Sequence, residues 1–422
     1  MPSIREALQD FNPWWSTKTL KLDFIDRKAY HEIRKFVSSK QIIALSGLRR
    51  VGKTMIMMKI AGDLIGSAYA PESIIYFSFD EFKNIEIGEV IKVYEELAGK
   101  TLEDGKFLIL LDELQKVDDW QNQLKTIYDL HSNTAKIIIS GSESLFIKRK
   151  AKESLAGRIF EFRVEPLSFK EFLHFKGFNP DPIGMHEKEL ARLFDEYIIT
   201  QGFPELVNEG DRDRIRKYIN EGIVEKVIYS DIPKLFKISD ITVLESMFKP
   251  LLEEPGQLIE VSSLSKELGI SRQTASLYLR YLEDSFLITK LYNFSRSSRK
   301  KERKLKKYYP TVVSEDLLLK QDDLTRSRAF EWIVIRLLGP GFFWRDPYKN
   351  EVDAVIVNGN KILPYEVKYG KIDTRGLEVF MKHFKLNLGT IISKSARDNI
   401  KIDHGGIKVV PAYRIFAEES MS

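Results

Sequence analysis

Short, nearly unbroken apolar runs separated by amphipathic stretches organise the first part of the chain. The runs QIIALS (41–46), SIIYFSF (73–79), FLILL (107–111) and AKIIIS (135–140) are strand-sized and rich in β-branched residues. Between them, 53–65, 88–97 and 120–130 place their apolar residues at helical spacing. Apolar strands without polar alternation must be covered on both faces, so this succession predicts a parallel sheet sandwiched by helices, an α/β domain. Its bounds fall at 1–165, the first residues forming an N-terminal extension.

Beyond Pro166 the period becomes helical, at 168–174, 187–201 and 212–229, with Pro204 and Pro233 as punctuation. A helical lid over 166–238 is the expectation. A tighter pattern comes next: a helix to Glu253, a helix opened by Ser262, a turn at Gly269, a helix opened by Ser271 and a strand at 287–291. That order resembles a winged helix, placed at 239–312. The remainder, 313–422, carries a helix at 328–338 and strands at 351–357, 362–368 and 388–393, hence a second α/β domain.

Composition narrows the chemistry. The 422 residues carry 66 Lys+Arg against 61 Asp+Glu and are 43% hydrophobic and 30% charged, values of a multidomain globular protein. With no cysteine, disulfides, zinc–thiolate sites and cysteine nucleophiles are excluded. Six histidines without H-E-x-x-H spacing argue against a zinc hydrolase. No apolar run approaches the roughly 18 residues of a membrane helix, and residues 1–10 include Arg5, Glu6 and Asp10 where a secretory signal would be apolar. The cytoplasm is therefore the expected compartment.

Residues Gly47, Leu48, Arg49, Arg50, Val51, Gly52, Lys53 and Thr54 fit G-x-x-x-x-G-K-[ST] between a strand and a helix. Glycines let successive backbone N–H groups turn inward, and with the helix N-terminus they cradle a polyphosphate. Lys53 is expected to reach the β- and γ-phosphates of a nucleoside triphosphate, and Thr54 to offer its hydroxyl to Mg²⁺. At the end of FLILL stand Asp112, the expected partner of the metal, and Glu113, the candidate base for the attacking water. Ser140 and Ser142 are candidates for the γ-phosphate or for capping the next helix. Arg158 is a candidate for stabilising transition-state charge, with an ordinary salt bridge as its equal alternative.

The motifs FNPWW (11–15), GLRRVGKT (47–54), LLDELQ (110–115), ISGSESLF (139–146), LAGR (155–158), EPLSFKEF (165–172) and QGFPE (201–205) resemble those of archaeal-type P-loop ATPases close to the AAA+ and STAND groups. The resemblance implies an ATP-binding module, a helical lid, a winged helix and a C-terminal nuclease-like domain.

Two further constellations bear on DNA. Arg272, Gln273 and Thr274 open the second helix of the winged-helix pattern, where a recognition helix meets the major groove, with Leu277, Tyr281 and Leu282 expected to pack inward. The run 296–307 holds eight basic residues against Glu302 alone, with Lys300, Lys301, Lys304 and Lys306 as candidate phosphate contacts. An interdomain or protein-partner role and a solvated loop are the alternatives. Nearer the C-terminus, Asp353 and the pair Glu366 and Lys368 align with the D-x(n)-E-x-K pattern of restriction-endonuclease-like folds, and Glu331 on the preceding helix is a candidate fourth member. Together these readings predict an Mg²⁺-dependent ATPase acting as a switch. The alternatives are a nucleic-acid-binding or metal-dependent nuclease effector with slow turnover, and a nucleotide-gated protein-interaction scaffold.

Overall fold

The computed structural model describes residues 2–418 other than 83, 142–153, 237, 239, 298–304, 321 and 404. It parts into two compact units, the first ending at Glu165 and the second beginning at Pro166.

The first unit is built on a five-stranded, all-parallel sheet of β1 (Ile42–Ser46), β2 (Ile74–Ser78), β3 (Phe107–Asp112), β4 (Ala135–Gly141) and β5 (Ile159–Arg163), in the order β2-β3-β4-β1-β5. Helices Lys53–Leu64, Ile87–Ala98 and Trp120–His131 link the strands. Every residue of β1, β3 and β4 is buried, as their unbroken hydrophobicity requires. Strand β5 has no counterpart among the four apolar runs, because IFEFR alternates as an edge strand does. With all strands running the same way, the C-terminal ends of β1, β3 and β4 meet at one edge, where open α/β sheets bind ligands.

The two edges of the sheet are not equally open to solvent, because the N-terminal extension seals edge strand β2. Asn12 is buried; its amide oxygen accepts from Tyr76 N (2.7 Å), and its Nδ2 donates to Tyr76 O (2.8 Å) and Leu8 O (2.7 Å). Trp14 and Trp15 both donate their indole N–H to Ile74 O, at 3.1 and 2.9 Å. An unpaired strand edge is a liability, and these side chains take the place of a neighbouring strand. Asn12→Ala removes the pairing of two buried backbone groups and is expected to cost about 2 kcal/mol, read as a lowered denaturation midpoint at unchanged slope.

The second unit carries a mixed nine-stranded sheet, ordered β13-β14-β12-β11-β10-β9-β7-β8-β6. Its strands are β6 (Gln257–Ile259), β7 (Ile288–Asn293), β8 (Lys306–Pro310), β9 (Phe342–Arg345), β10 (Glu351–Asn358), β11 (Lys361–Lys368), β12 (Leu388–Ser393), β13 (Asp398–Ile402) and β14 (Gly405–Pro411). Residues 239–312 form helices Ile241–Glu253, Val261–Glu267 and Arg272–Asp284 with the antiparallel strands β6, β8 and β7. These elements are continuous with the C-terminal strands: β7 pairs in parallel with β9, and the Asn293 amide bonds both backbone groups of Arg345.

Two of the three helices expected to form a lid, those at 168–174 and 187–201, belong to the core of this second unit. Phe169, Phe172, Phe194 and Tyr197, on helices Phe169–Phe175 and Glu187–Thr200, pack with Phe330 and Ile333 of helix Asp323–Leu338 and with Phe416. Gln201 of the QGFPE motif donates to Val313 O (3.0 Å) and accepts from Val313 N (2.9 Å), while its own carbonyl receives Arg336 Nη1 at 2.7 Å. Gly202, at φ 71°, has no room for a side chain, since a Cβ would stand 2.7 Å from Leu167 O. The stripe of aromatic residues, too large to leave in water, draws the helices into this core.

In helix Arg272–Asp284 the inward face is Ala275, Tyr278, Leu279 and Leu282. Leu277 is exposed, contrary to expectation, because it lies two residues past Ala275 on a 3.6-residue repeat and so faces away from it. Tyr281 is partly buried and stacks on Phe236, with ring centroids 3.9 Å apart.

Candidate nucleotide site and carboxylate cluster

The phosphate-binding loop leaves β1 at Ser46 and enters helix Lys53–Leu64 at Gly52. Gly47 stands at φ 142°, and a Cβ there would lie 2.2 Å from Val164 O, so no other residue fits. Gly52 also takes a left-handed conformation, at φ 95°. Leu48 and Val51 are buried and anchor the loop, whereas Arg49 is half-buried and Arg50 exposed. Lys53 is 5% exposed, and its Nζ donates to Gly47 O (3.0 Å) and Leu48 O (2.8 Å), folding the ammonium back over the loop. Arg27, which no sequence motif marks, pins the loop from outside by donating to Val51 O (2.6 Å) and Glu165 O (2.9 Å).

Asp112, at the end of β3, is the hub. It is buried; its Oδ2 accepts from Thr54 Oγ1 (2.6 Å) and Tyr76 OH (3.1 Å), and its Oδ1 accepts from Ser140 Oγ and Glu113 N (3.0 Å). Strand order explains the meeting, because β4 with Ser140 lies between β1 and β3, and β2 with Tyr76 flanks β3. Ser140 is thus a strand residue bonded to the acid, not a helix cap; Ser142 lies outside the described residues. Tyr76 is legible in the sequence only as a core aromatic; burial first, then the charge of Asp112, pushes its phenol up.

Glu113 comes next with a left-handed backbone, φ 55°, an uncommon conformation for a non-glycine residue. Gln115 Nε2 donates to its Oε2 at 2.5 Å. Burial raises its carboxyl above the usual range, opposed by Lys53 and Arg49 and assisted by Asp112 and Asp80. A carboxylate so tuned suits a general base. The donor set fits Mg²⁺: one hydroxyl and one carboxylate in contact leave the remaining octahedral positions to phosphate and water. Among the described residues no three His, Asp or Glu side chains are grouped to hold a metal by themselves.

Arg158 is not brought to this site. Its carbonyl accepts from Ile42 N (2.7 Å) at the start of β1, so it lies at the edge of the sheet opposite the loop. Its guanidinium donates to Asp129, at 2.8 Å from Nε, which is the salt-bridge alternative.

In the second unit, the four C-terminal candidates do converge. The β10–β11 register sets Ala354 opposite Tyr365, which brings Asp353 level with Glu366. Asp353 Oδ2 accepts from Val367 N (2.9 Å), and Lys368 Nζ donates to Glu366 Oε1 (2.7 Å). Burial, then Glu366 and Glu331, pushes Asp353 well above the carboxylate range. A member of the basic run stands among them: Lys307 of β8, with Nζ 3.0 Å from Glu331 Oε1, 2.9 Å from Glu351 Oε1 and 3.7 Å from Asp353 Oδ1. Tyr309 donates to Glu331 Oε1 at 2.6 Å. Of the candidate DNA contacts, Arg272 and Gln273 are exposed, and Thr274 is half-buried with its N–H on the Ser271 hydroxyl (3.0 Å). Lys306 is half-buried over the Tyr292 ring, and Lys300, Lys301 and Lys304 lie outside the described residues.

A family model described as an AAA domain matches residues 39–173, the stretch that holds the loop, Asp112, Glu113 and Ser140. Two models described as domains of unknown function, DUF8612 and DUF4143, match 191–311 and 337–415. An uncharacterized protein of Haemophilus influenzae is 29% identical over 274 residues, covering 63% of this chain and 66% of the relative. One from Methanocaldococcus jannaschii is 30% identical over 277 residues, covering 63% of this chain and 59% of the relative. The chain therefore spans less than two thirds of the length of these two. A second protein of that archaeon is 25% identical over 427 residues, covering 90% of this chain and 86% of the relative. The AAA match supports a P-loop, nucleotide-binding region of the ATPase type in the first unit. Among the described residues no helix is long and apolar enough to cross a membrane.

Proposed function

We propose that this protein is an Mg²⁺-dependent ATP-binding and ATP-hydrolysing switch. The observation that carries the reading is the contact of Thr54 and Asp112, 2.6 Å apart, at the same strand-end edge as the glycine loop and Lys53. Loop N–H groups and Lys53 bind the β- and γ-phosphates; Thr54 and Asp112 hold the metal; Ser140 and Tyr76 fix the Asp112 carboxylate; Glu113 orients water and takes its proton. When bound, Mg²⁺ neutralises the charge of the terminal phosphates.

Residues 239–312 are read as a winged helix and the C-terminal sheet as restriction-endonuclease-like. The exposure of Arg272 and Gln273 at the start of a capped helix favours duplex DNA as the input to the switch. Phosphate release by the full chain, with and without duplex DNA, tests both parts. ATP-dependent release that rises several-fold with DNA is the expected result. Release unaffected by DNA would leave the ATPase and remove the DNA input, and no heat of ATP binding by calorimetry would remove the ATPase itself. The nuclease alternative rests on the Glu331, Asp353, Glu366 and Lys368 cluster alone.

A further inference from the structure

We infer that Lys307 is the resident counter-cation of the C-terminal carboxylate cluster, filling the position a divalent metal would take, so that the cluster is closed to metal while β8 remains paired in the sheet. The inference stands on the second unit alone and does not depend on the ATPase reading.

Lys307 is held from both sides, since β8 pairs with β7 through Leu291 and with β6 through Leu258 at this register position. Its side chain is 7% exposed and has little freedom to leave. A divalent cation needs carboxylate oxygens at roughly 2.0–2.6 Å about one centre. Here the ammonium occupies the space among Glu331, Glu351 and Asp353, with its nitrogen 2.9–3.7 Å from one oxygen of each. A dication beside it would meet an uncompensated positive charge in a buried setting, where repulsion is strong.

Several of the carboxylate oxygens are also engaged by other donors. Asp353 Oδ2 holds Val367 N, Glu366 Oε1 holds Lys368, Glu331 Oε1 holds Tyr309, and Glu351 Oε2 faces Arg345 at 3.6 Å. Glu366 Oε2 is buried without a partner. The residues therefore fit a lysine and not a metal, although the acids match the nuclease pattern. In this arrangement the cluster joins the β7–β8 hairpin to helix Asp323–Leu338 and to strands β10 and β11, through one shared cation.

Mn²⁺ titration of the full chain without nucleotide, monitored by electron paramagnetic resonance of the free ion, tests this. Wild type is expected to show no Mn²⁺ site that is lost in Asp353→Asn. Lys307→Gln, and the charge-balanced pair Lys307→Gln with Glu351→Gln, are expected to gain one Mn²⁺ site at least about tenfold tighter than any in wild type. That site should raise the melting temperature with added Mn²⁺ and vanish when Asp353→Asn is added. An Asp353-dependent Mn²⁺ site in wild type would overturn the inference, and it needs no variant lacking the lysine to fold. So would a folded Lys307→Gln protein, single or paired, that gains no site.

Discussion

Glu113→Gln is expected to bind ATP as tightly as wild type while steady-state hydrolysis falls by about 100-fold or more. The side chains are isosteric, and none of the loop or metal-holding contacts runs through the Glu113 carboxylate: Thr54, Ser140 and Tyr76 all bond Asp112. The substitution removes an oxygen that can accept a proton. Because burial lifts the Glu113 carboxyl above the usual range, the acid limb of the wild-type rate profile should lie above that of an ordinary carboxylate. Below that limb the residue is protonated and cannot act as a base, so the rate falls as pH drops; in Glu113→Gln the limb should disappear with the rate. Calorimetry for binding and phosphate release across pH check the two halves of this expectation. A Glu113→Gln protein that keeps full hydrolysis would remove the residue from its role.

Legibility in the sequence tracks how local each physical constraint is. The strand–loop–helix around Gly47 and the acid at the end of β3 are read from adjacent residues, and so the loop, Thr54, Asp112 and Glu113 stand out. Ser140 keeps two candidate roles until the sheet order sets β4 next to β3. Tyr76, Asn12 and Arg27 act across distance: Asn12 meets Tyr76, 64 positions away, and Arg27 meets Glu165, 138 away. No periodicity reports such pairings. The same gap explains Arg158, whose neighbours in sequence say nothing of which sheet edge it joins. It also explains Lys307, the last basic residue of a run suited to phosphate, which alternation on β8 turns into a buried cation facing Glu331. The helical period at 168–174 and 187–201 predicts helices that the structure contains, but a period names no partner, and the partner is the C-terminal core.

Lys53→Ala should lower ATP affinity by about 10- to 100-fold, since a charge-assisted contact to phosphate contributes about 1.5–3 kcal/mol and about 1.4 kcal/mol is a factor of ten. The lysine has two tasks on separate partners. Without ligand its ammonium donates to Gly47 O and Leu48 O, which ties the start of the loop to the helix that ends it. With ATP it is the one loop side chain expected at the β- and γ-phosphates. Removing it thus costs binding directly and loosens the unliganded loop. The two effects separate experimentally. Lys53→Arg restores a cation, but its planar fork does not reproduce a point charge, so it should recover the melting temperature more than the affinity. Thr54→Ala leaves the Lys53 contacts in place and removes only a metal-side hydroxyl, so its loss of affinity should depend on Mg²⁺ concentration whereas that of Lys53→Ala should not. If Lys53→Ala instead binds ATP like wild type in calorimetry, the ammonium belongs to the loop's own architecture and the phosphates must be held by backbone N–H groups alone.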